Sequence, residues 1–160
     1  MEKIVNDFTI NIATANGTGS QSANLILLNS LFRMGTHVSG KNLFPSNIAG
    51  LPTWYIVRVS DYGYQAPGDE THIQILMNID TWTEDLAELS PGSVVIYNTD
   101  VKAPVDRDDL ILYPASMTSM ARELNPKLAK MVANMIYVGV MAEMLEIPQK
   151  IVEESIAKQF

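Results

Sequence analysis

Apolar and polar side chains alternate over residues 8–12 (Phe8, Ile10, Ile12). The alternation breaks at Asn16-Gly17-Thr18-Gly19-Ser20-Gln21, and apolar positions resume at helical spacing through Ala23, Ile26, Leu27 and Leu31, with Ser30 in the same register. A period of two marks a strand and a period near 3.6 a helix. The join therefore predicts strand, glycine-punctuated turn and helix. In that arrangement, free N–H groups and the positive end of a helix face one anionic group. Met34-Gly35 closes the helix with a glycine cap.

The same reading continues along the chain. Residues 36–38 predict a short strand, and residues 40–52, rich in Gly, Pro, Ser and Asn, an irregular loop. Residues 54–59 (WYIVRV), 72–77 (HIQILM), 93–97 (SVVIY) and 110–113 predict further strands. Asp80 is placed to cap a helix over residues 81–89, and Ser116 or Thr118 to open one carrying Met120 to Leu124. Pro126 stands in the first turn of the longest helix, which ends near Leu145, and Pro148 starts the last. Strands alternating with helices predict an α/β fold, a three-layer α/β/α sandwich on a mainly parallel Rossmann-like sheet, as one domain over residues 1–160. The ligand-facing edge of such a sheet lies at the carboxyl ends of its strands, where the 17–21 turn belongs.

The long helix is apolar on nearly every side. A helix of that kind is buried on more than one face. We expect its outer face to meet a partner chain through Met131, Met135 and Met141; the competing expectation is burial in the chain's own core beneath the tail helix. An apolar share of 47% is slightly rich for a free-standing domain and also points to covered surface.

Familiar catalytic signatures are incomplete. Gly17 and Gly19 fill the first two positions of G-x-G-x-x-G, but Ser22 holds the third, and the strand at 36–38 does not end in an acidic residue. Gln21 and Ser22 stand where a phosphate-binding loop carries Lys and Ser/Thr. Ser20 lacks the second glycine of a nucleophile elbow. His37 and His72 are the two imidazoles; Asp69, Glu70 and His72 offer a thin metal set that reads better as solvent-facing. Asp108-Asp109 and Glu153-Glu154 read as solvated pairs.

Charge and composition narrow the classes. A net charge of −7 with 11 basic residues argues against nucleic acid. Without cysteine the chain offers no disulfide, no thiolate nucleophile and no sulfur ligand for zinc or an iron–sulfur cluster. No basic-then-apolar leader opens the sequence, and the apolar stretch at 131–142 is too short to span a bilayer, so a cytoplasmic protein without membrane contact is expected.

The runs NGTGSQSANLILLNSLFRMG, GKNLFPSNIAGLPTWYIVRVSDYGY and MNIDTWTEDLAELSPGSVVIYNT resemble the gamma domain of 2-oxoacid:ferredoxin (acceptor) oxidoreductases, above all the gamma domain of 2-oxoglutarate-type alpha subunits. MIYVGVMAEMLEIP resembles that family's closing helix. The resemblance implies a complex that decarboxylates a 2-oxoacid on thiamine diphosphate with Mg. Electrons then pass through iron–sulfur clusters to ferredoxin or another acceptor, and the acyl group goes to coenzyme A. It implies that these cofactors are held by alpha, beta and iron–sulfur subunits or domains, not by this chain alone, and that this domain packs on the catalytic core and closes loops over it. It matches Gly17, Thr18, Gly19, Ser20 and Gln21 to the family's glycine turn, and Ser46, Asn47, Ile48 and Gly50 to a loop approaching the substrate and coenzyme A. Ala49 and Gln65 depart from the lysine and arginine of some relatives, leaving Lys41 and Arg58 as nearby candidates for an anion. Whether the chain is a separate subunit or part of a fused one stays open. So do a stand-alone nucleotide-binding module and a non-catalytic scaffold.

Overall fold

The protein is described by a computed structural model over residues 6–45 and 48–160. Among these residues the chain forms β1 (Asp7–Ala15), α1 (Ser20–Arg33), β2 (Val38–Leu43), β3 (Pro52–Ser60), β4 (Ile73–Leu76), α2 (Trp82–Ala87) and β5 (Val94–Asn98). A single 3-10 turn (Thr99–Val101), β6 (Ile111–Ala115), α3 (Met117–Leu124), α4 (Ala129–Met144) and α5 (Gln149–Gln159) complete it. The strands make one sheet in the order β2-β3-β1-β4-β5-β6. The pairings β1–β4, β4–β5 and β5–β6 are parallel, and β3 runs antiparallel to both β1 and β2. The sheet is thus mainly parallel and the fold three-layered, with an antiparallel flank. The eight residues between β2 and β3 are too few for a crossover, so the chain must fold straight back.

Alternation in β1 sorts the two faces. Ile10 and Ile12 join Val57, Ile73, Ile75 and Ile96 beneath α1, α4 and α5. Ala13 joins Leu76 and Val95 on the opposite face, packed against Trp82, Leu86 and Leu89 around α2. Arg107 fixes that second layer. Its guanidinium donates to the carbonyls of Leu86 (2.9 Å) and Leu89 (3.1 Å) at the end of α2 and holds Asp109 in a two-point pair. Asp109 is therefore ion-paired rather than freely solvated.

Local boundaries depart from expectation where tertiary contacts supply what propensity lacks. The strand expected at 36–38 lies instead at 38–43, so residues 40–43 are strand rather than loop, because an antiparallel ladder from Val38–Val59 to Leu43–Trp54 satisfies a backbone whose Gly and Asn content argued for irregularity. α2 is shorter than expected, and Asp80 does not cap it; Thr81 is its N-cap residue. α3 begins after Ser116, but its first N–H groups are received by Asn98 Oδ1 and Asp100 at the end of β5. Pro126 precedes α4 in a turn closed by Asn125, whose side chain accepts from Lys127 and Leu128 N–H.

α4 departs further. Its apolar girth is taken up inside the chain, against α1, α3 and the sheet. Met141 is fully buried and Met135 half-buried, so Met141 does not meet a partner from this position. Met131 is half-buried against Gly19. For Met141 the expected outer interface is corrected to burial in the chain's own core, while Met131 and Met135 keep part of their surface open. The large exposed apolar side chains lie elsewhere, Leu43, Phe44, Ile48, Leu51, Ile79, Met120, Leu124 and Leu128 among them.

Two buried polar pairs fasten α4 to α1: Tyr137 hydroxyl donates to Asn24 Oδ1 (2.7 Å), and Asn134 reaches the turn before α1. Burial pushes the Tyr137 phenol well above its ordinary value. The native state therefore keeps the neutral phenol while the unfolded chain ionises near pH 10, so this contribution is whole below about pH 10 and is lost above it, by up to about 1.4 kcal/mol per pH unit. Tyr137→Phe leaves Asn24 without its donor and should lower stability by about 1–3 kcal/mol at neutral pH. Denaturant titrations at pH 8 and pH 11 should show the variant less sensitive to alkali than the parent; equal sensitivity contradicts the assignment.

Candidate anion site at the carboxyl edge

The carboxyl ends of β1, β4, β5 and β6 share one edge of the sheet with the end of β2 and the start of β3. The turn between β1 and α1 forms the centre of that edge. Gly17 (φ 80°) and Gly19 (φ 82°) both adopt the left-handed backbone that glycine alone takes without strain. Gly19 is the N-cap residue of α1, no side chain caps the helix, and its first turn carries no acidic residue. The positive end of α1 is thus left available to an outside anion.

Two of the sequence-predicted segments meet here. Asn16 N–H donates to Leu51 O (2.8 Å), Gly50 N–H donates to Asn16 O (2.8 Å), and Asn16 Nδ2 donates to Ile48 O (3.2 Å). Gly17 faces Ala49 so closely that a Cβ on Gly17 would stand 3.3 Å from the Ala49 Cβ. Ile48 and Gly50 therefore sit beside Gly17, Thr18 and Gly19, while Ser46 and Asn47 lie outside the described residues. Gln21 is exposed; Ser20 is buried and its Oγ accepts from Thr14 Oγ1 (3.0 Å). That partner is a hydroxyl and not a base, so Ser20 is a structural hydroxyl rather than a nucleophile.

Concavities flank the turn on both sides. The larger, about 850 Å3, is walled by Thr18, Gly19, Asn98, Arg122, Lys127 and Lys130, among others. The smaller, about 310 Å3, opens between the turn and β2–β3, beside Gln21, Asn24, Asn42 and Trp54. Three cations on one wall stand out in a chain of net charge −7. Arg122 is partly answered by Asp100, whose carboxyl is held below the usual range by the Ser119 hydroxyl, with Arg122 a further contributor. Among the described residues Lys127 and Lys130 make no ion pair. Sequence reasoning missed this trio, although its spacing over 122–130 beside Pro126 was visible.

Other candidates fall away. Arg58 pairs with Asp7 and donates to Val59 O, so its charge is spent within the sheet. Lys41 stays exposed on β2. His72 Nδ1 accepts from Thr9 N–H (3.2 Å) at the opposite edge. No group of three His, Cys, Asp or Glu suited to a metal occurs among the described residues. Asp85 is a buried carboxylate, raised by that burial, which accepts from Thr81 Oγ1 (2.7 Å) and Trp54 Nε1 (2.8 Å) and so ties α2 to β3. No helix among the described residues is long and apolar enough to cross a membrane.

The turn's backbone makes a specific demand. Gly19→Ala imposes a left-handed alanine and brings a Cβ 3.3 Å from Met131 Cγ, and should cost about 1–2 kcal/mol. Gly139, exposed within α4 with no atom near its missing Cβ, should instead gain up to about 1 kcal/mol as alanine. Thermal midpoints moving in opposite directions confirm the contrast; a stabilising Gly19→Ala contradicts the turn geometry.

The chain matches the pyruvate ferredoxin/flavodoxin oxidoreductase family over residues 9–160. No curated protein matches it. Its fold is that of a 2-oxoglutarate:ferredoxin oxidoreductase from Magnetococcus marinus, solved with 2-oxoglutarate, coenzyme A and succinyl-CoA bound, at 23% identity and a TM-score of 0.87. That alignment covers 98% of this chain and 27% of the other, so the chain spans about a quarter of that protein's length. A keto/oxoacid ferredoxin oxidoreductase gamma subunit from Geobacter sulfurreducens is similar at 15% identity and a TM-score of 0.77, over 96% of this chain and 86% of that one. Pyruvate oxidoreductase subunit PORC from Thermotoga maritima is similar at 17% identity and a TM-score of 0.75, over 98% and 86%. The chain belongs to the pyruvate ferredoxin/flavodoxin oxidoreductase family.

Proposed function

We propose that this chain is the gamma component of a 2-oxoacid:acceptor oxidoreductase and that its carboxyl edge holds the phosphate-bearing end of coenzyme A against a thiamine-dependent core. The observation that carries the reading is the pocket beside the glycine turn, where an uncapped helix start faces Arg122, Lys127 and Lys130. Such a wall suits a polyanion. Helix N–H groups offer directed donors, and the cations offer charge-assisted contacts that are stronger than neutral ones.

The donor set also limits what this chain holds. Iron–sulfur clusters need thiolates, and the sequence has none, so the residues present do not fit a cluster. Nor do the described residues gather the carboxylates that a Mg-diphosphate site requires. On this reading thiamine diphosphate, Mg and clusters belong to alpha, beta and iron–sulfur subunits or domains, with ferredoxin or a similar carrier receiving the electrons. Coenzyme A, when bound, supplies the thiol that accepts the acyl group. This chain's own residues anchor and orient its anionic end and keep water from the covered face.

The apolar rim supports the docking half of the proposal. Leu43, Phe44, Ile48, Leu51, Ile79 and Leu124 surround the same edge and are exposed in the isolated chain. An apolar rim around a polar pocket fits a face that another subunit covers. The loop at Ser46, Asn47, Ile48 and Gly50 then approaches the active site, with 2-oxoglutarate as the substrate, in a cytoplasmic complex.

A Lys127→Ala/Lys130→Ala double variant, assembled with its partner subunits, should raise KM for coenzyme A roughly tenfold or more, from the loss of contacts worth about 1.5–3 kcal/mol together. KM for the 2-oxoacid should stay within twofold. Steady-state kinetics with each substrate varied in turn decides it. An unchanged KM for coenzyme A overturns the assignment of this pocket.

A further inference from the structure

We infer that Asn134 is a positioning residue that sets the glycine turn for anion binding, an inference that rests on the reading of the pocket given above. Asn134 stands in the middle of α4, 2% exposed, where an apolar side chain would pack without needing a hydrogen-bond partner. Its Nδ2 donates to Thr18 O (2.9 Å), and Thr18 Oγ1 lies 3.4 Å away. Thr18 Oγ1 in turn donates to Ala15 O (2.8 Å). The carbonyl and the hydroxyl of Thr18 are thereby tied down between β1 and α4.

The electrostatic consequence is local. Thr18 and Asn134 both line the larger pocket. A bare carbonyl on that wall would present negative charge to an incoming phosphate, and the Asn134 amide answers it. Because the peptide is planar and trans, holding the Thr18 carbonyl also fixes the Gly19 N–H. Gly19 and Gly17 on either side are the most permissive residues a chain can offer, so this peptide would otherwise turn freely.

The mechanical consequence joins two elements. The helix start lies on α1, and the cations Lys127 and Lys130 lie in the turn before α4 and in its first turn. Asn134 spans them directly, flanked along α4 by Met131 against Gly19 and by Tyr137 on Asn24. It thus sets the distance between the halves of the site. Tyr137 binds α1 to the same helix through Asn24, and neither residue lines the larger pocket.

Three variants of the assembled complex test this, each read for KM and kcat and for the thermal midpoint. Asn134→Leu, which keeps the branched shape without a donor, should raise KM for coenzyme A about tenfold with kcat within twofold, and lower the thermal midpoint no more than Tyr137→Phe does. Asn134→Asp, which sets an acceptor against the Thr18 carbonyl, should raise it further. Tyr137→Phe should lower the midpoint and leave KM for coenzyme A within twofold. If Asn134→Leu does not assemble, Asn134→Ser is read in its place, with the same direction expected. An unchanged KM in the Asn134 variants, alongside a raised KM in the Lys127/Lys130 double variant, overturns the positioning role and leaves the pocket assignment intact. An unchanged KM in both overturns the pocket reading and this inference with it. A lowered midpoint together with a raised KM in the Asn134 and Tyr137 variants alike reduces Asn134 to a structural residue and equally overturns the proposal.

Discussion

The left-handed turn at Gly17 and Gly19 constrains everything around it. Those two residues let β1 end, reverse and start α1 within four positions, and the sharpness of the turn leaves the first N–H groups of α1 without a side-chain cap. An uncapped helix start inside a domain is costly unless something polar answers it. Here the chain does not fill the position with an aspartate or a serine of its own. It braces the turn from both flanks instead, through the Asn16 contacts with residues 48–51 and the Asn134 contact with Thr18.

That bracing explains the composition of α4. The helix is apolar on several sides because α1, α3 and the sheet each cover part of it. Its two buried polar residues, Asn134 and Tyr137, both reach α1 or the turn that precedes it. Buried polar groups that are fully paired restrict packing to one arrangement, whereas greasy surfaces alone allow several. The helix therefore sets the orientation of α1 as well as the position of the cations at its own start. Around this polar centre lies an exposed apolar rim, while Phe32, Tyr62 and Tyr64 stand exposed toward the opposite edge of the sheet.

Legibility in the sequence followed the range of the interactions. The strand-turn-helix start was readable because period and glycine placement are local properties, and the alternation of strands and helices carried the three-layer architecture. The sequence pattern marks a strand only up to Val38 and a loop from residue 40, because the rest of β2 owes its stability to the ladder with β3, which no local pattern reveals. The caps of α3 were hidden for the same reason: Asn98 and Asp100 reach them from about twenty residues away. The helix at 129–144 was correctly read as apolar all round, yet the reading that sent Met141 outward failed, since counting apolar faces cannot say how many neighbours the chain itself provides. The glycine turn and the 48–50 segment were named separately, and only the fold placed them side by side. The basic wall of the pocket was overlooked because its members are dispersed across α3, a turn and α4.

The central claim is that the open start of α1 is completed by an anion from outside the chain. Amide hydrogen exchange on the assembled complex, with and without saturating coenzyme A, tests this directly. The account predicts that exchange at residues 19–22 slows on addition of coenzyme A, together with slower exchange at 127–131. Unchanged exchange at 19–22 under saturation would contradict it.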